Sequence, residues 1–126
     1  MDEPGSVFVA NPDVSEHWEE VRGELQAAFL MAKAAAVAGE GILFVVGSDD
    51  LLGRGGVGAA VVATALLSAA RTSALEMKAV PVNTLAIGAD TAPEEVSVWV
   101  RHLLEAGGPR GELVRLGGGH LGKALP

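Results

Sequence analysis

Apolar positions run along this chain in two rhythms. Between Gly41 and Gly47 they are continuous, Ile42-Leu43-Phe44-Val45-Val46. An apolar run bounded by glycines predicts a strand buried on both faces. A polar, glycine-rich loop follows over 48–56, and then an alanine-rich, proline-free segment over 58–77 that predicts a helix. Strand, loop and helix make half of a βαβ unit. The loop lies at the carboxyl end of the strand, where open α/β sheets bind ligands.

The same alternation fills the rest of the chain. Residues 6–10 are β-prone, and Asn11-Pro12-Asp13 ends them in a turn. Val21, Leu25, Ala28, Phe29 and Ala32 recur at helical spacing and are expected to make the inner face of a helix. Their helix is capped by Asp13 or Ser15, carries Glu16, Glu19 and Glu20 near its positive end, and stops at Gly39-Glu40-Gly41. Residues 79–87 read as a third strand. Asp90 or Thr91 caps a helix from near Pro93 to Ala106, residues 112–116 form a last short strand, and 117–126 a tail. The order β-α-β-α-β-α-β implies a small parallel sheet of about four strands, with helices on both faces and right-handed crossovers. The expected organisation is a single α/β domain over 1–126.

Composition narrows the function classes. With 126 residues, 49% of them hydrophobic, the chain is globular. A net charge of −7 argues against nucleic-acid and anionic-membrane surfaces. There is no cysteine, hence no disulfide framework and no thiolate metal site, which fits a cytoplasmic protein. The acidic start Met1-Asp2-Glu3 lacks the basic opening of a signal peptide. The apolar run 59–70, interrupted by Thr64 and Ser68, is too short to span a bilayer.

The helix over 58–77 is apolar or small around most of its circumference, and the first helix has a similar excess in Ala27-Ala28-Phe29-Leu30-Met31-Ala32. One sheet covers one face of each, and an uncovered apolar face usually marks an interface. The helices 14–38 and 58–77 are therefore expected to pack against other copies in a dimer or tetramer.

Three features are candidates for chemistry. Gly53-Arg54-Gly55-Gly56-Val57-Gly58 fits Gly-x-Gly-x-x-Gly between a strand and a helix, and its backbone N–H groups suit a phosphate. Five residues separate it from the strand, and no acidic residue closes a following strand at the dinucleotide spacing; the plainer reading is a flexible loop. Ser48 ends the central strand, where a nucleophile would be exposed. It lacks the second glycine of a nucleophile elbow and a base placed by sequence, so it reads equally as a loop or cap residue. Asp49 and Asp50 are adjacent carboxylates, which in loops are usually solvated. His17, His102 and His120 show no metal-ligand spacing, so no metal site is expected; His17 and His120 read as surface and tail residues.

Taken together the segments resemble the carboxyl-terminal portion of a short-chain dehydrogenase/reductase. Val9-Ala10-Asn11-Pro12 is similar to the family's Asn-Asn-Ala-Gly strand end, with Asn11 in place, and 18–33 resembles its long interface helix. Residues 42–48 resemble the strand ending in the catalytic serine, matched by Ser48. Val82-Asn83-Thr84-Leu85-Ala86-Ile87-Gly88 resembles the Val-Asn-x-x-x-Pro-Gly strand, with Ile87 for the proline, and 113–119 resembles the last strand with its Gly-Gly. Arg71 to Glu76 resembles the end of the helix that carries the family's Tyr-x-x-x-Lys. Counted back from Glu76, the tyrosine position falls near Ala59 and the lysine near Ala63; the helix asparagine falls near Glu24. The chain holds no tyrosine at all. Alanine neither donates a proton nor lowers a pKa. The resemblance starts at the family's fourth strand, without the glycine-rich cofactor turn, and the substrate lid is cut to a few residues.

The resemblance implies a catalytically inactive relative, acting through oligomerisation or as a non-catalytic subunit of a related, full-length oxidoreductase, with no cofactor. Two alternatives are open. One is an oxidoreductase of this type using NAD(P), with an atypical active site around Ser48 and cofactor contacts at Asn11, Gly53, Gly55 and Gly58. The other is a small-molecule or anion-binding module built on the glycine loop.

Overall fold

A computed structural model of the chain describes residues 5–117. Four strands, β1 (Gly5–Val9), β2 (Gly41–Gly47), β3 (Val82–Ile87) and β4 (Leu113–Leu116), form one parallel sheet in the order β1-β2-β3-β4. The helices are α1 (Trp18–Ala38), the single turn α2 (Ser48–Leu51), α3 (Val57–Glu76) and α4 (Pro93–Glu105). The α/β class, the four strands and the three long helices agree with the apolar pattern.

Period-two alternation sorts the sheet residues onto two faces. Ile42, Phe44 and Val46 meet Val21, Ala28 and Ala35 of α1 and Ala59, Val62, Ala63, Leu66 and Ala70 of α3. Leu43, Val45 and Leu85 meet Leu103 and Leu104 of α4 on the other face. β2 is buried along six consecutive residues because both layers press on it. By length and composition α3 could cross a bilayer, contrary to the count over 59–70 alone. Seven of its residues, from Gly58 to Ala70, are buried within the domain.

The expectation that every crossover is right-handed fails. Each crossover steps to the next strand in the same direction, yet α1 and α3 lie on one face and α4 on the other. Parallel crossovers that step alike on opposite faces have opposite hands. With the first two of the usual hand, β3-α4-β4 is left-handed. Long-range anchors hold the exception in place. Gly5 leaves room for Leu104: a β-carbon there would stand 2.9 Å from its Cδ2 and 2.6 Å from the Gly41 carbonyl oxygen. The return loop to β4 is pinned by Arg110, whose Nη1 donates to the Lys78 and Val80 carbonyls, each at 2.8 Å.

The helix ends depart from the expected caps. α1 begins at Trp18 after His17, with no side-chain cap. Ser15 sits outside the helix, its Oγ accepting from the His17 N–H at 3.2 Å while its own N–H donates to Glu20 Oε1 at 3.1 Å. Hydrogen bonding from Ser15, its backbone N–H first and then its hydroxyl, holds the pKa of the Glu20 carboxyl below its ordinary value. α4 follows Ala92, also without a side-chain cap. Thr91 Oγ1 instead accepts from the Gly88 N–H and donates to the Leu116 carbonyl, tying the ends of β3 and β4. The stop at Gly39 is as expected: φ is +71°, and its N–H returns to the last carbonyls of α1.

Candidate functional site

All four strands run the same way, so their carboxyl ends gather on one edge of the sheet. Asn11, Ser48, Gly88 and Gly117 lie just past those ends, and the loop into α3 joins them there. The segment expected to be a loop over 48–56 opens with α2, because Asp49 and Asp50 sit in the favourable first turn of a helix. Gly53 follows in the left-handed region at φ +74°, and the N–H groups of Gly53 and Arg54 close back on the carbonyls of Asp50 and Asp49.

Each candidate residue has a definite environment. The Asn11 side-chain oxygen accepts from the Asp13 N–H at 2.9 Å, an Asx turn, and the Asn11 N–H donates to Glu24 Oε2 at 2.7 Å. Glu24, where the resemblance places the helix asparagine, thus braces the strand end. Ser48 Oγ is shut off from solvent and has no hydrogen-bond partner. The Asp50 carboxyl is pushed above its ordinary value, first by burial and then by repulsion from Asp49 and Asp13. Asp49 reaches Arg54 at 3.8 Å across open solvent.

The glycines of the loop divide into open and closed. A β-carbon at Gly53 or Gly56 would meet nothing. At Gly55 it would stand 2.5 Å from Asp50 Oδ1, and at Gly58 2.0 Å from the Ser15 carbonyl oxygen. The first turn of α3 is therefore packed directly on the backbone of residues 14–15, and Val14 is buried against the core that holds Ala59 and Val62. Ala59 and Ala63 are 3% and 1% exposed.

Sequence reasoning missed the Ser15–Gly58 contact and the approach of Asp13 to Asp50. Only Gly58, a glycine inside a helix, hinted at a close approach. The histidines do not join Ser48. His102 lies on α4, across the sheet from α3, edge-on to Trp99 with ring centroids 5.4 Å apart. His17 precedes α1, and His120 lies outside the described residues. Among the described residues no three His, Asp or Glu side chains are grouped to hold a metal ion.

Away from this edge, a groove of about 300 Å³ separates α1 from α3, lined by Phe29, Ala32, Lys33, Ala36, Ser73 and Glu76 among others. Phe29, Leu30 and Val37 of α1 and Val57, Val61 and Leu75 of α3 are exposed.

No protein-family model matches the chain, and no curated protein does. Solved structures do. A small-chain dehydrogenase superposes with a TM-score of 0.72 at 16% identity, over 95% of this chain and 65% of its own. A short-chain dehydrogenase/reductase from Burkholderia xenovorans gives 0.68 at 19%, over 90% and 62%. The 3-oxoacyl-[acyl-carrier protein] reductase from Brucella melitensis gives 0.62 at 15%, over 96% and 59%. The fold is that of short-chain dehydrogenases/reductases, and the chain spans about three fifths of the length of these structures.

Proposed function

We propose, with the short-chain dehydrogenase/reductase fold as premise, that this chain works without turnover. It acts by self-association, or as a non-catalytic subunit of a related full-length oxidoreductase. The carrying observation is the state of the two positions matched to the family's proton-transfer pair. They are Ala59 and Ala63, both buried in the core that also holds Val14, in a chain without tyrosine. The glycine loop does not fit a dinucleotide. A pyrophosphate at Gly55 would face the Asp50 carboxylate, and at Gly58 the Ser15 carbonyl fills the approach. The same two groups count against an anion-binding module. What the chain offers in place of a cofactor cleft is apolar surface on α1 and α3, where Phe29 is 64% and Val61 44% exposed.

Titration calorimetry with NADH and NADPH, run beside light scattering, tests this. The expected result is no micromolar cofactor binding and a mass that is a multiple of 12.8 kDa, reduced by Phe29→Glu with Val61→Glu. Micromolar cofactor binding, or reductase turnover by the pure protein, overturns it.

One observation favours a second reading, an atypical enzyme at Ser48. A buried hydroxyl without a partner is unusual, and Ser48 shares its turn with the protonation-prone Asp50. Covalent labelling of Ser48 by a serine-directed fluorophosphonate, lost in Ser48→Ala, would establish it.

A further inference from the structure

We draw no further inference here: the strongest candidate, the groove of about 300 Å³ between α1 and α3 with Lys33 on one wall and Glu76 on the other, carries nothing because nothing in the structure shows what covers it.

Discussion

Asp50 shows how one side chain records the conflict at the strand ends. Its carboxyl lies over Gly47 and Gly55, and burial with Asp49 and Asp13 nearby raises its pKa. A carboxyl whose folded pKa exceeds its unfolded one stabilises the fold while protonated, and that contribution is lost as pH rises through the folded value. At neutral pH the charged carboxylate is therefore a liability. Asp50→Asn is expected to raise stability at pH 7 by at most about 1 kcal/mol, because the group is largely solvated. Near pH 3, where both side chains are neutral, the gain should vanish. Thermal melts of the two proteins at both pH values check this; a variant less stable at pH 7 would show that the carboxylate holds a stabilising contact instead. The residue scale also limits what sequence can reveal. Asp49 and Asp50 were legible as adjacent acids, but Asp13 joins them only because the turn after β1 packs on the start of α3.

Among the elements, β3 carries the clearest test. Asn83 is wholly buried; its Nδ2 donates to the Pro109 carbonyl and its Oδ1 accepts from the Glu112 N–H, each at 2.9 Å. Those two bonds fix the loop that brings the chain from α4 back to β4. Asn83→Ala leaves the half-buried Pro109 carbonyl and the Glu112 N–H without these partners and is expected to cost about 1–3 kcal/mol. Faster amide exchange over β4 and the preceding loop than over β1 should accompany the loss; uniform exchange would deny Asn83 its local role. The strands and long helices were legible because their apolar periods are local. The Val-Asn start of β3 was visible too, but its clamp on residues 109–112 was not. The hand of the last crossover was hidden for the same reason: it depends on Gly5 meeting Leu104 and on Arg110 reaching Lys78, contacts far apart in sequence. The misread caps follow from side chains engaged elsewhere, the Ser15 hydroxyl with the His17 N–H and the Thr91 hydroxyl with the Leu116 carbonyl.

At the scale of the whole molecule, two core layers flank one sheet, and apolar side chains remain outside both. The exposure of Leu30 and Val61 follows from helices apolar around their circumference, but Phe29, expected on the inner face of α1, is 64% exposed because that face turns on Val21, Ala28 and Ala35, and the exposure of Val37, Val57, Leu75 and the end of β1 at Val9 was not foreseen. For Val9 the reason is that a strand's edge status depends on sheet order, which five residues cannot reveal. If association covers these surfaces, folding and assembly are linked, and anything that binds only the native state raises its apparent stability by mass action. The melting temperature should then climb as protein concentration rises from about 1 to 100 μM, by an amount that grows with the number of copies joined. Each copy carries a net charge of −7, so like charges oppose the contact and added salt should strengthen it. The two dependences belong together: Phe29→Glu with Val61→Glu should flatten the concentration dependence. Calorimetric scans over a dilution series at low and high salt read both at once. A melting temperature indifferent to concentration in the native chain would mean that its own copies do not cover its apolar surface, and would remove self-association, leaving only the docking on a full-length relative.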